Sequence, residues 1–169
     1  ILAAAGISRL GGDLGGLLAE ELGLAEWPTA PGQGALAVET RDDIDPDIYA
    51  ALAELDDERT RVAITAERTV LSALDAGCSA PVGTHASLAE GDLRLRAVVY
   101  ALDGTQRIGI DRTVRLDPGY GGDTTGSGNG ADAADDGGPI ARATRAGQEA
   151  ARRLLERGAA DLVPRESTT

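Results

Sequence analysis

Apolar residues return at every fourth position from Val62 through Ala66 and Val70 to Leu74, which predicts one inward-facing stripe on a helix that begins near Asp57 and runs to Ala76. The period then changes to two. Val82, Thr84, Ala86 and Leu88 alternate with Gly83, His85 and Ser87, and Leu93, Leu95, Ala97 and Val99 alternate with Arg94, Arg96 and Tyr100. Glu90-Gly91-Asp92 turns the chain between these runs, Asp103-Gly104 is a hairpin signal, and Ile108, Ile110 and Val114 supply a third strand. The expectation is a three-stranded antiparallel meander with one polar face. Further on, Ile140, Ala143, Gly147, Ala150, Ala151 and Leu154 mark the inner face of a last helix, from about Pro139 to Arg157, with Gly158 as its stop.

The preceding part of the chain is patterned less uniformly. Leu14, Leu17, Leu18 and Leu22 fall on one helical face, preceded and interrupted by Gly11, Gly12, Gly15 and Gly16, whose spacing fits neither the dinucleotide fingerprint nor the P-loop. Trp27-Pro28-Thr29-Ala30-Pro31 is a stiff connector with Trp27 as packing at a junction. Gly32-Gln33-Gly34 leads into Ala35-Leu36-Ala37-Val38, a short apolar run that suits a buried strand. Residues 42–47 form an acidic linker. Asp45-Pro46 opens a helix, with Asp as N-cap and Pro at the first helical position, and Ile48, Ala51, Leu52 and Leu55 share one face of it.

Helices packed on one face of a small antiparallel sheet define the fold class as α+β, over a domain spanning residues 45–164. Within it, Asp117 to Gly138 dissolves into Gly, Asp, Thr, Ser and Asn, too little apolar surface to offset the entropy of ordering, and is expected to be a disordered acidic insertion. The core must be built from Leu, Val, Ile and Ala, since the chain has no Phe, no Met, three Tyr and one Trp. All sixteen basic residues are arginine, against twenty-eight acids, for a formal charge of -12. Such a surface repels nucleic acid, and it is the composition that a salt-rich, halophilic cytoplasm favours. No run of about eighteen apolar residues is present to span a membrane. The chain starts with Ile1 rather than Met, has no signal-peptide pattern, and is expected to be the C-terminal portion of a longer protein. One cysteine forms no internal disulfide, in keeping with a cytoplasmic location.

That cysteine, Cys78, lies in Gly77-Cys78-Ser79-Ala80-Pro81-Val82-Gly83. Gly77 is suited to end the preceding helix in the left-handed conformation and Pro81 forbids its resumption, so Cys78 is expected on a short, stiff loop. A lone thiol is most often a small buried hydrophobe. Ala66-Glu67-Arg68 followed by Gly77-Cys78-Ser79-Ala80-Pro81-Val82-Gly83-Thr84-His85-Ala86 resembles the cofactor-attachment segment of the porphobilinogen deaminase (hydroxymethylbilane synthase) family. Leu2-Ala3-Ala4-Ala5-Gly6-Ile7-Ser8-Arg9-Leu10-Gly11 is similar to the end of that family's second domain, and Pro31-Gly32-Gln33-Gly34-Ala35-Leu36-Ala37-Val38-Glu39 to its strand returning to the first domain.

The resemblance implies that residues 1–26 and 27–44 are fragments of two α/β periplasmic-binding-protein-like domains and that residues 45–164 form the cofactor-attachment domain. It implies a transferase of porphyrin (haem) biosynthesis that condenses four porphobilinogen units into linear hydroxymethylbilane with loss of ammonia. The dipyrromethane cofactor would be held as a thioether on Cys78, since a soft thiolate adds readily to an electrophilic pyrrole methylene. Arg9 would meet pyrrole carboxylates as a permanently charged fork, helped by backbone N–H groups of Ala4, Ala5 and Gly6 and by Gln33 at the hinge. Arg68 reads as a structural ion-pair residue, and His85, without a second His, as a strand residue rather than a metal ligand. The essential aspartate and most substrate arginines would precede Ile1, so the chain alone is expected to be inert. Its partners would be porphobilinogen, the growing polypyrrole and the N-terminal domains, in a protein that is a monomer when complete. The other class of reading is a small-ligand-sensing or interaction module with a structural cysteine, and a third is a thiol redox sensor, though no resolving cysteine is present.

Overall fold

The computed structural model describes residues 2–11, 15–75, 80–116 and 137–162. Their order is helix α1 (Ala4–Arg9), α2 (Pro46–Ala53), α3 (Glu58–Ala73), strands β1 (Val82–Ala89), β2 (Asp92–Tyr100) and β3 (Arg107–Arg115), α4 (Gly138–Glu156) and a 3-10 turn, Ala159–Asp161. The three strands form one antiparallel sheet in sequence order, with Thr84 opposite Ala97 and Ala97 opposite Ile110. Helices α3 and α4 cover one face of it. Among the described residues no helix is long and apolar enough to cross a membrane.

The expected stripe of α3 forms the floor of the core: Val62, Ala66 and Val70 are fully buried and Leu74 nearly so. Asp57 caps its start, accepting from the Arg59 N–H at 3.1 Å. The helix stops earlier than expected. Leu74 is the C-cap and Asp75 takes the left-handed conformation at φ 50°, the role assigned to Gly77, which lies outside the described residues. Helix α4 begins after Gly137, also left-handed, and buries Ala143, Ala146, Gly147, Ala150, Ala151 and Leu154. Ile140, expected among them, is 37% exposed because it precedes the crossing with α3. That crossing is centred on Gly147, where a Cβ would fall 2.6 Å from the Ala66 carbonyl oxygen and 2.7 Å from Thr69 Cβ.

Alternation decides the sheet's two faces. Leu93, Leu95, Ala97 and Val99 of the central strand point to the helices with Val82 and Ala86 of β1 and Ile110 of β3. The opposite face carries His85, Arg96 and Asp111 in a row, with Arg96 Nη1 donating to both carboxylate oxygens of Asp111 at 2.9 and 2.8 Å, as a polar face should. Glu90 (φ 53°) and Gly91 (φ 81°) make the two-residue turn between β1 and β2.

The first fifty residues depart most from expectation. The helix in the opening segment is Ala4–Arg9, whereas residues 15–26 are turns and irregular chain, with Leu17 and Leu18 at 76% and 102% exposure. Gly15 and Gly16 sit at positive φ, which no helix interior accommodates, and Leu14 itself lies outside the described residues. The strand expected at 35–38 is absent: Leu36 and Val38 are exposed and among the described residues no strand pairs with them. Helix α2 forms as expected on the Asp45 cap, which accepts from the Asp47 N–H at 2.8 Å, but Ile48 and Leu55 stay exposed. Trp27 is likewise 58% exposed rather than packed. Of the acidic insertion, residues 117–136 lie outside the described residues, and Gly138 belongs to α4.

Candidate functional site

Cys78 lies outside the described residues, so its surroundings are defined by the two ends that lead to it, Asp75 at the close of α3 and Ala80 before β1. Both ends are firmly placed. The Asp75 N–H donates to the Ser72 carbonyl at 3.1 Å, the Val82 N–H to the Ala80 carbonyl at 2.8 Å, and the Tyr100 N–H to the Pro81 carbonyl at 2.9 Å.

A buried carboxylate joins this region to the earlier part of the chain. Glu67 projects from α3 at 6% exposure, and its two oxygens accept from different segments: Oε1 from the Ala86 N–H of β1 at 2.7 Å and Oε2 from the Gly32 N–H at 2.8 Å. The Thr29 carbonyl completes the join, accepting from the Thr84 N–H at 2.7 Å. Beside it, Gly83 lets Pro28 approach so closely that a Cβ would fall 2.7 Å from the Pro28 carbonyl oxygen. The connector therefore lies against β1. A buried carboxylate needs such donors, and two backbone N–H groups supply them without a counter-charge.

The arrangement sets the Gly32 turn, with Gln33 following it, against Glu67 and Arg68 of α3. Gln33 is exposed on the turn that follows Gly32, with its N–H donating to the Ala30 carbonyl at 3.3 Å. Pro31 and the outer side of α3, at Arg68, Thr69, Leu71 and Ser72, line an open groove alongside. Arg68 is exposed and has no ion pair among the described residues, contrary to its expected structural pairing; its stem packs near Gly32 instead. Ala4, Gly6 and Arg9 stand apart on α1. The Gly6 N–H is spent on the Ala3 carbonyl at 3.0 Å, while Arg9 is in the last turn, not at the helix start, exposed and without an ion pair among the described residues. His85 is half-buried on the polar face of the sheet. Among the described residues no cluster of three His, Cys, Asp or Glu side chains is arranged to hold a metal.

Sequence reasoning used Glu67 and Thr84 only as members of a motif and an alternation and assigned neither a role. Glu67 was visible as an acid adjoining the buried stripe of α3, and Thr84 as a hydroxyl on the inner side of β1, fully buried with Oγ1 lacking a partner among the described residues.

A three-stranded antiparallel sheet backed on one face by α3 and α4 defines an α+β domain. The family comparison agrees with that architecture: residues 61–156 match the porphobilinogen deaminase C-terminal domain, and residues 1–49 match the porphobilinogen deaminase dipyromethane cofactor binding domain. The chain belongs to the porphobilinogen deaminase family. It is 40% identical to the porphobilinogen deaminase of Nocardia farcinica over all of this chain and 44% of the relative, and 39% identical to that of Leifsonia xyli over 97% of this chain and 46% of the relative. With porphobilinogen deaminase 1 of Streptomyces avermitilis it shares 49% identity over 67% of this chain and 36% of the relative. The chain thus spans less than half the length of these relatives.

Proposed function

We propose that this chain is the cofactor-carrying part of a hydroxymethylbilane synthase. The polypeptide to which it belongs would condense four porphobilinogen units into linear hydroxymethylbilane and release ammonia, with Cys78 as the covalent anchor of the dipyrromethane. The carrying observation is the Gly77-to-Gly83 motif, which follows α3 in the chain and whose last two residues open β1, in a domain matched to the family's C-terminal model, with the cofactor-domain match ahead of it in order.

The residues present fit a carboxylate-bearing pyrrole group. Arg9 offers an exposed guanidinium and Gln33 an exposed amide, both suited to carboxylate oxygens, whereas the Gly6 amide is already engaged within α1. When bound, the dipyrromethane supplies the end to which pyrrole units are joined. The protein's part is positional: Glu67 fixes the Gly32 turn, and with it Gln33, relative to the helix that precedes Cys78. Residues 1–26 and 27–44 are assigned to portions of two α/β domains completed by further chain.

The decisive experiment is the intact mass of the complete protein, with and without Cys78→Ser. A dipyrromethane adduct that colours with an aldehyde reagent and disappears in C78S is the expected result; an unmodified thiol in the natural protein overturns the proposal. The isolated 169-residue chain is expected to show no turnover of porphobilinogen.

A further inference from the structure

Gly32 lies among the residues matched to the cofactor binding domain and Glu67 among those matched to the C-terminal domain, so the 2.8 Å hydrogen bond between them ties two parts of the family's fold together. The buried carboxylate divides its oxygens between separate segments, Oε2 on the Gly32 N–H and Oε1 on the Ala86 N–H of β1. Among the described residues it makes no ion pair. A buried carboxylate held by backbone donors alone adds little stability over an apolar side chain of similar volume. What it adds is one defined arrangement of the segments it joins.

The tied stretch extends to both sides of Gly32. Pro28 sits over Gly83, which has no Cβ to push it away, and the Thr29 carbonyl accepts from the Thr84 N–H at 2.7 Å. Two successive turns follow, closed by the Gln33 N–H on the Ala30 carbonyl and the Ala35 N–H on the Gly32 carbonyl, both at 3.3 Å. Gly32 takes the left-handed conformation at φ 79°, with the Arg68 stem against it. Pro28 and Pro31 fix φ at two further positions, so residues 28–35 have little freedom of their own. Beyond Ala35 the constraint ends. Among the described residues, 36–40 make no hydrogen bond to the domain, and Leu36 and Val38 are exposed.

We propose that Glu67 is a positioning residue for pyrrole addition: it locks residues 28–35 to the α3–β1 unit, so that the turn carrying Gln33 travels with the C-terminal domain and the chain pivots after Ala35. The pivot expected at Gln33 thereby moves onto residues 36–40. The catalytic consequence rests on Cys78 being the anchor of the dipyrromethane; the lock does not. Cys78 is flanked in sequence by the same two elements, α3 and β1. A turn locked to them keeps its register with the attachment segment while pyrroles are added, and a loosened one does not.

The test is made on the complete protein with Glu67→Gln, which keeps the shape of the side chain but accepts from only one of the two N–H groups. Intact mass reads the dipyrromethane, steady-state kinetics read kcat and KM for porphobilinogen, and hydrogen exchange reads the amides of the connector. In the natural protein, slow exchange at Gly32 and Ala35 and fast exchange at 36–40 are expected. In E67Q the adduct is retained, exchange at Gly32 quickens, and kcat falls about tenfold or more while KM stays within about twofold. A second variant, Gly83→Ala, displaces Pro28 from β1 without touching the carboxylate and should give the same pattern; it decides the matter if E67Q fails to fold. Full kcat in a folded variant whose Gly32 exchange has quickened overturns the positioning role, and Gly32 exchange unchanged in both variants overturns the lock. An adduct missing from the natural protein refutes the reading of Cys78 instead, and exchange alone then decides the lock.

Discussion

Leu154 and Leu36 are the same side chain in opposite circumstances. The first is fully buried on α4 against the sheet, the second 97% exposed. The contrast extends to their regions. From residue 58 to 162 the apolar stripes of α3, α4 and the three strands close on one another, whereas from residue 2 to 57 Leu2, Leu10, Leu17, Leu18, Leu36, Val38 and Leu55 are all more than half exposed. Apolar patterning became a core only where a complementary surface lay within the chain.

The largest expected effect sharpens that contrast directly. Leu154→Ala should cost about 3–5 kcal/mol of stability by cavity formation, while Leu36→Ala should change it by less than about 0.5 kcal/mol, as denaturant titration of the two variants will show. Comparable costs at both sites would mean that the early segment packs in solution.

The next effect concerns the join between the regions. Removing the Glu67 carboxylate leaves the Gly32 and Ala86 N–H groups without acceptors. Glu67→Ala should therefore cost about 2–3 kcal/mol. Hydrogen exchange should accelerate most at Gly32 and Ala86; protection retained at both amides would show that the carboxylate does not hold the connector.

Two smaller effects test the quality of the later region's core and surface. Thr84→Val replaces a buried hydroxyl, without a partner among the described residues, by a methyl of the same shape and should raise stability by about 1 kcal/mol in thermal or denaturant unfolding. Glu149 is held by hydrogen bonds from Arg152 and then Arg153 with its pKa lowered from 4.5 to about 2. Its ion pairs thus contribute fully above the ordinary glutamate range, and the contribution is lost as pH falls from there through about 2. Glu149→Gln should flatten the acid side of the stability profile in that window and leave the slope near neutrality unchanged. Because both arginine partners are exposed and Glu149 is only partly buried, the change will be small.

What could be read from the sequence follows the same division. Val62, Ala66, Val70 and Leu74 declared a helix face, and the two-residue alternation of β1 and β2 declared a sheet, because each pattern had its counterpart nearby in the chain. Leu17, Leu18 and Leu22 have helical spacing too, but the positive φ of Gly15 and Gly16 and the lack of a covering surface defeat it. Ala35 to Val38 reads as a strand and finds none among the described residues to pair with. Of the candidate site, the motif around Cys78 and the family were legible from residue identity alone. The Glu67 bridge was not, since its acceptor role depends on backbone N–H groups 35 positions before and 19 after it.

The contacts along β1 also bear on how the protein behaves among copies of itself. An unsatisfied strand margin invites another polypeptide to add on, and from there aggregation can spread. Here the outward amides of Thr84 and Ala86 are both occupied, by the Thr29 carbonyl and by Glu67. The connector acts as a guard rail as well as a link, and a protease cut within it would uncover a sticky seam.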